Sequence, residues 1–402
     1  MLIEWVAPAR LGKPFRRLVM STWLTNFGDG MAVAAGPLLV ASQTSDPLLV
    51  AAAGFMRVLP MLLFGLIAGA VADRVNRKVL LIGCDLSRVG FLALLVGFVA
   101  TGTVNIWLVL VVLFVMGTFE AFADTAGPAL LPMLIDKEDL GLANSKLLVG
   151  YVTFNELIGP PIGAFLFAAG MVWPFVGQMI LLVCGASVLA RIALPASPTR
   201  THIGHDIVEG ARWLVAHPAM RTLALTVVTI NVAFGAAWSV LVLYSRDQLG
   251  LGPVGFGLLT TMSGIGGIIG TTAYPWLEKR VSLGTIMRVG LLWETASHLI
   301  LARTNSPAVA MGVMFLFGVH AFIWATTSTS VRQRSVPLEL QGRVGATYLI
   351  GVFGGLLVGQ VIGGVIARHW GVTAPLYFGF VASALILALI WRQLPRIAHD
   401  PH

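Results

Sequence analysis

Residues 65–78 read Gly-Leu-Ile-Ala-Gly-Ala-Val-Ala-Asp-Arg-Val-Asn-Arg-Lys, so that an apolar stretch runs directly into a cluster of charges. Gly65 and Gly69 share one helical face, where small residues let membrane helices approach closely. Asp73 begins the charged cluster at the end of this helix. Asn76 tolerates the left-handed backbone conformation of a tight turn. The stretch predicts a membrane helix that ends in a charged cytoplasmic loop.

Apolar runs recur along the whole chain. Of its 402 residues, 57% are hydrophobic and 11% are charged, whereas a soluble domain is roughly 25% charged. The mean hydropathy is +0.87, and a spanning helix needs about 20 apolar residues. Such runs lie at about 16–41, 48–72, 79–101, 105–126, 142–168, 173–194, 222–244, 253–277, 284–303, 306–330, 343–367 and 372–392. The sequence therefore predicts an all-α polytopic membrane protein with twelve transmembrane helices.

The positive charges fall on one side of the predicted membrane. If the chain starts in the cytoplasm, external turns hold only Arg246, Arg303 and Arg368 of the 26 basic residues, and two more lie within spans. Cytoplasmic loops of membrane proteins carry an excess of Lys and Arg. We therefore expect both termini in the cytoplasm and an inner-membrane location. The same bias explains the net charge of +8 without nucleic acid as a partner.

The longest hydrophilic stretch divides the chain into two groups of six spans. Residues 1–194 form the predicted N-terminal six-helix bundle, and residues 222–402 form the C-terminal one. The segment 195–221 is a predicted cytoplasmic linker with an amphipathic helix, because Ile207, Val208 and Leu214 recur at helical spacing. Two such bundles are the plan of transporters that work by alternating access.

The charged loop resembles the loop signature of the major facilitator superfamily, Gly-x-Leu-Ala-Asp-Arg-x-Gly-Arg-Lys, with Val71 and Asn76 as departures. In the family, the second arginine of this signature meets a carboxylate of the fourth helix, and the aspartate lies near the start of the eleventh. Carried over, Arg77 pairs with Asp124, and Asp73 lies near Arg343. The resemblance thus implies a gating motif that consists of Gly69, Asp73, Arg74, Arg77, Lys78, Asp124 and Arg343.

A second motif, at residues 159–164, reads Gly-Pro-Pro-Ile-Gly-Ala. It resembles the antiporter motif of exporters in this superfamily, through Gly159, Pro160 and Gly163. Segments 128–132 and 209–214 are similar to the branch that includes macrolide efflux proteins and siderophore (enterobactin-type) exporters. One departure is that Leu113 stands where many drug:proton antiporters have an arginine, four residues before a glycine.

Ionisable side chains inside predicted spans are the first functional candidates, because a charge at the bilayer centre costs at least ~2.5–3.5 kcal/mol. Asp29 and Arg57 fall near the midplane, so we expect them to pair, with Asp29 binding a transported proton or a cationic substrate. The alternative is a permanent structural salt bridge. The predicted proton-coupling residues are Asp29, Arg57, Glu120, Glu156, Glu294 and His298.

The remaining polar and aromatic residues of the spans are assigned simpler roles. Asp85 and Arg88 are expected to form a structural i,i+3 pair. Glu294 and His298 could titrate together or face neighbouring helices as a polar pair, and His320 is expected to be a hydrogen-bonded interior histidine. The candidates for the wall of a substrate cavity are Asn26, Asn231, Trp238 and Trp293.

Several chemistries lack their sequence motifs. The chain has no phosphate-binding loop for ATP, no His-Glu-x-x-His helix and no Gly-x-Ser-x-Gly turn. Both cysteines lie inside apolar runs, so neither a disulfide framework nor a metal site is expected. The sequence predicts no enzyme activity, no cofactor and no metal.

These observations together predict a secondary active exporter of amphipathic small molecules, driven by proton antiport. A drug, a macrolide-like antibiotic, a siderophore or another secondary metabolite fits as substrate. Its expected partners are that substrate, protons and the lipid bilayer, and the expected state is a monomer. The alternatives are a narrow-substrate nutrient or lipid carrier of the same fold, or a non-transporting membrane receptor or scaffold.

Overall fold

A computed structural model describes residues 9–193, 204–337 and 340–394, and every regular element in these ranges is a helix. The first six long helices are α1 (Gly12–Gln43), α2 (Pro47–Arg74), α3 (Arg77–Ala100), α4 (Ile106–Ala126), α5 (Leu140–Ala169) and α6 (Trp173–Ala190). The linker helix (Gly204–Ala216) follows. The last six are α7 (Pro218–Trp238), α8 (Pro253–Glu278), α9 (Leu283–Arg303), α10 (Pro307–Ser335), α11 (Gln341–Trp370) and α12 (Ala374–Ile390).

Nine helices in the described ranges are long and apolar enough to cross a membrane. The other three long helices are α1 and α9, which carry several charged residues, and α12, which has 17 residues. Charges inside α1 and α9 lower their hydropathy, and charged residues inside membrane helices are functional candidates. The predicted all-α polytopic fold is confirmed.

The chain divides into two compact units. The first comprises Met1–Thr44 and Met56–Thr201, and the second comprises Ser45–Phe55 and His202–His402. The linker helix belongs to the second unit, where Glu209 pairs with Arg343 at the start of α11, with Nη1 and Oε2 2.6 Å apart. Residues 195–203 of the predicted linker lie outside the described ranges, as do the side chains of Ile207 and Val208.

Helix packing inside each unit determines which side chains meet. In the first unit, α1 packs against α5 and α6, and α3 packs against α4 and α6. In the second unit, α7 packs against α11 and α12, α8 against α10, and α9 against α10 and α12. Each unit therefore brings the polar residues of several helices toward its own interior.

Candidate functional site

A group of polar and ionisable side chains, which we call the first polar centre, surrounds a cavity of about 40 Å³ in the first unit. The cavity is lined by Asp29 on α1, Arg57 on α2, Arg88 on α3, Glu120 on α4 and Gln178 on α6. A water molecule needs roughly 10–15 Å³ of such space. The cavity therefore has room for a few water molecules but not for an organic substrate.

Arg88 is the hub of the first polar centre. Its side chain is 3% exposed and pairs with Asp29 and with Asp85, whose Oδ1 lies 3.6 Å from Arg88 Nη1. Gln178 Nε2 donates a hydrogen bond to Asp29 Oδ1 at 3.1 Å. A buried charge is tolerated when it is paired and hydrogen-bonded. The carboxylate of α1 is thus held by α3 and α6 together.

Arg57 and Glu120 form the second ion pair of this centre, with Nη2 and Oε1 3.2 Å apart and side chains 34% and 25% exposed. The predicted direct ion pair between Asp29 and Arg57 is therefore wrong. Helix packing explains why Arg57 pairs with Glu120 and not with Asp29, because the backbone carbonyl of Arg57 lies against Gly117 of α4. Gly117 and Glu120 are i,i+3 and share a helical face, so Arg57 meets Glu120.

Two residues of this centre, Arg88 and Gln178, have roles that the sequence did not predict. Arg88 was expected to belong to a structural pair, but it joins the carboxylates of α1 and α3. Gln178 is 2% exposed and was not singled out at all. The only signal for Arg88 was a charge inside an apolar run, and an uncharged glutamine gives an even weaker one.

The antiporter motif of α5 sets the crossing of α5 with α1 directly beside Asp29. Gly159 lies against Gly30, and Gly163 lies against the backbone of Met31. Pro160 follows a π-helical segment, Tyr151–Ile158, before α-helical geometry resumes. Single π-helical turns occur often at functional sites. The motif thus gives α1 a close backbone contact next to its buried carboxylate.

Replacing Gly163 with alanine is expected to destabilise the protein by ~1–3 kcal/mol through overpacking. The added Cβ would lie 2.7 Å from the Cα of Met31, so a helix backbone must move. Thermal unfolding of the purified protein in detergent measures the effect. Gly90→Ala is the matched control, because nothing lies within 4 Å of a Cβ added there. Equal unfolding temperatures for the two variants would contradict the close α1–α5 crossing.

Two basic residues of the loop motif, Arg77 and Lys78, bind backbone carbonyls. Lys78 Nζ donates to the carbonyl oxygens of Ala190, the last residue of α6, and of Ile192, each at 2.7 Å. Arg77 Nη1 donates to the carbonyl of Ala129 at 3.3 Å. Carbonyls at the end of a helix lack intrahelical partners and favour a cation. The motif therefore ties the start of α3 to the ends of two other helices.

The structure describes the other residues of the predicted gating motif only in part. Arg74 and Asp124 are exposed, and Gly69 lies inside α2. The side chain of Asp73 is outside the described part of the structure, so its contact near Arg343 stays a prediction, as does the pairing of Arg77 with Asp124.

Two further predicted residues of the first unit form local hydrogen bonds. Glu156 accepts a hydrogen bond from the hydroxyl of Tyr151 at 3.0 Å within the π-helical segment. Asn26 Nδ2 donates to the carbonyl of Thr22, one turn earlier in α1. Neither side chain lines the cavity of the first polar centre.

A second polar centre lies in the second unit and consists of Glu294, His298 and His320. His320 Nε2 and Glu294 Oε2 are 3.1 Å apart. His298 Nδ1 instead bonds the main-chain carbonyl of Glu294 at 2.8 Å. The predicted side-chain partner of Glu294 is thus corrected from His298 to His320, because α9 packs against α10 and places His320 beside the carboxylate.

A larger cavity of about 300 Å³ adjoins this second centre. Its polar and aromatic wall consists of Asn231, Phe234, Glu294, Phe317, His320, Trp324, Ser328, Thr329 and Tyr348. Asn231 was predicted to line a substrate cavity, and the structure places it there. Trp238 lies behind this wall and stacks on Phe234. Trp293 has a buried indole nitrogen without a partner in the described ranges.

Comparisons with known proteins agree with this architecture. Residues 5–400 match the family described as transmembrane secretion effector. The chain is 25% identical to the multidrug efflux pump Tap of Mycolicibacterium fortuitum over 96% of both proteins. It is 28% identical to macrolide efflux protein A of Streptococcus pyogenes over 38% of this chain and 36% of that protein. A bacterial homologue of the iron transporter ferroportin in an inward-facing state has a similar fold, with 19% identity, a TM-score of 0.73, and coverage of 95% and 99%.

The helical fold, with its two buried polar centres, is that of a multi-pass membrane transporter. The chain belongs to the transmembrane secretion effector family of the major facilitator superfamily. The predicted superfamily and its resemblance to efflux proteins are therefore confirmed.

Proposed function

We propose that this protein exports amphipathic small molecules across the bacterial inner membrane in exchange for protons. Both termini lie in the cytoplasm, and the protein acts as a monomer without ATP and without enzyme activity. Its similarity to proteins named for multidrug and macrolide efflux supports export. The observation that carries proton exchange is the excess of carboxylates in the first polar centre.

The side chains of the first polar centre, together with Asp85, which pairs with Arg88, include more carboxylates than guanidiniums. Among the described residues, the carboxylates of Asp29, Asp85 and Glu120 pair with two guanidiniums, those of Arg57 and Arg88. With all five groups ionised, the formal charge is −1. An uncompensated buried charge is costly, and binding one proton removes it.

Asp29 is the proposed proton site within this group. It lines the cavity, its side chain is 13% exposed, and it shares Arg88 with Asp85. Protonation of Asp29 neutralises one side of the ion pair that joins α1 to α3. Proton binding therefore biases the protein toward conformations in which these two helices separate, as expected when a ligand prefers one of two states.

Cells provide the first test of proton-driven export. Expression of the wild-type protein in an efflux-deficient bacterium is expected to lower the accumulation of at least one compound from a panel of dyes, macrolides and siderophores. A protonophore should restore accumulation to the level of cells that carry the empty vector. Export that continues at full rate in the presence of the protonophore would contradict proton coupling.

A further inference from the structure

The two units carry buried ionisable residues at matching positions. Arg88 is the twelfth residue of α3 (Arg77–Ala100), and Glu294 is the twelfth residue of α9 (Leu283–Arg303). These helices are the third and the ninth of the twelve long helices. The third helix of the first unit thus carries a cationic residue at its twelfth position, and the third helix of the second unit carries an anionic residue at its twelfth position.

The two carboxylate oxygens of Glu294 have different surroundings. Its side chain is 2% exposed, and Oε2 is bonded to His320. Oε1 has no hydrogen-bond partner among the residues that the structure describes, although His298 Nδ1 lies 3.9 Å away. Since His298 Nδ1 bonds a carbonyl, which only accepts, this nitrogen carries the hydrogen. An unsatisfied buried carboxylate oxygen is costly and would be satisfied by a positively charged group.

The adjoining cavity has the size and walls for a flat aromatic molecule. Its volume of about 300 Å³ is at the lower end of the range for ligand pockets, ~300–1,000 Å³. The rings of Phe234, Phe317, Trp324 and Tyr348 line it together with Glu294 and His320. Aromatic faces attract cations and favour stacking of other rings.

We propose that Glu294 and His320 form a second exchange centre, at which a flat aromatic cation displaces a proton. The aromatic rings of the ligand stack in the cavity. The positive charge of the ligand then neutralises Glu294 in place of the charge of an imidazolium at His320. One N–H bond of the His320 imidazolium breaks, and the proton is transferred to water. This proposal rests on the proposed export function and assigns a substrate class and a site to it.

In the part of the chain that the structure describes, few other ionisable groups surround this exchange centre. On α9, His298 faces Glu294, and on α11 the cavity is lined by Tyr348. Arg332 of α10 lies over the Tyr348 ring, 4.6 Å from its centroid, and is twelve residues or ~18 Å along the helix from His320. The sides toward α7 and α12 carry Asn231, Trp238 and Gly379, which do not titrate. His320 is therefore the histidine whose side chain directly contacts the Glu294 carboxylate.

Direct binding to the purified full chain tests this assignment. Tryptophan fluorescence quenching is measured in detergent between pH 6.5 and 8 with ethidium, a permanent aromatic cation. The matched ligand is its uncharged analogue 3,8-diamino-6-phenylphenanthridine. Because the wild type exchanges one proton for ethidium, ethidium binding should tighten with rising pH, by up to about tenfold per pH unit. Binding of the uncharged analogue should show no such dependence.

Variants separate the two members of the centre. Glu294→Gln is expected to weaken ethidium binding at least about tenfold and to spare the uncharged analogue. His320→Gln should remove the pH dependence and retain tight ethidium binding. Glu278→Gln is the control, since Glu278 pairs with the exposed Arg334, and it should bind like the wild type.

Three results would each overturn the proposal: no ethidium binding by the wild type, wild-type affinity in Glu294→Gln, or an unchanged pH profile in His320→Gln. Binding needs no membrane gradient, so this test is independent of export. Glu294-dependent binding without protonophore-sensitive efflux in cells would refute the proposed function and leave the site standing. Protonophore-sensitive efflux together with Glu294-independent binding would refute the site and leave the proposed function standing.

Discussion

Replacing Arg88 with methionine is expected to destabilise the protein by ~3–5 kcal/mol, because truncating one partner of a buried ion pair leaves uncompensated charge. Arg88 is the shared cation of Asp29 and Asp85, and its side chain is 3% exposed. Methionine fills most of the volume but supplies no charge. The temperature at which the detergent-solubilised protein loses its monodisperse peak measures the loss.

A matched surface variant and a rescue make the Arg88 prediction specific. Arg246→Met removes a guanidinium whose side chain is 42% exposed and pairs with Asp247, and such exposed pairs contribute ~0–1 kcal/mol. Adding Asp29→Asn and Asp85→Asn to the Arg88 variant should recover part of the stability, since no buried carboxylate is then unpaired. If Arg88→Met unfolds at the same temperature as Arg246→Met, Arg88 does not hold the first polar centre together.

The second large effect is expected for Asp29→Asn, which should reduce energy-dependent efflux at least about tenfold, in line with the loss of a positioned proton-transfer group. The protein should still fold, because the asparagine Oδ1 can accept the hydrogen bond that Gln178 Nε2 now donates. Cellular accumulation of an exported compound measures the effect at matched expression.

The control for this variant is Asp247→Asn, which removes an exposed carboxylate beside Arg246 and should leave efflux unchanged. Full efflux in Asp29→Asn that a protonophore still abolishes would move the proton site to another residue. Glu120 would then be the next candidate, since it lines the same cavity.

Much of the fold was predictable from local sequence properties. The predicted second span, 48–72, corresponds to α2 (Pro47–Arg74), because an apolar run and a charged loop mark its ends. The π-helical segment Tyr151–Ile158 was not predictable. Its residues are compatible with an ordinary α-helix, and the shift in hydrogen bonding depends on how α5 packs against α1.

The candidate site was predictable in its residues but not in its pairs. The position of Asp29 and Arg57 along their helices gave their depth in the membrane, whereas the direction in which each side chain points depends on helix packing. Depth alone predicts that Arg57 pairs with Asp29. Because the backbone of Arg57 contacts Gly117, Arg57 pairs with Glu120. His320 gave no sequence signal for its bond to Glu294, which lies 26 residues away on another helix.

The most direct test of the central claim is proton movement in proteoliposomes that contain only this protein. The compound with the largest efflux in cells is added outside vesicles of uniform pH, and a trapped dye reports the pH of the lumen. Proton antiport predicts that the lumen becomes more alkaline as the compound enters wild-type vesicles, and that Asp29→Asn vesicles show no change. Entry of the compound into wild-type vesicles at constant lumenal pH, or an equal pH rise with Asp29→Asn, would contradict proton exchange at Asp29.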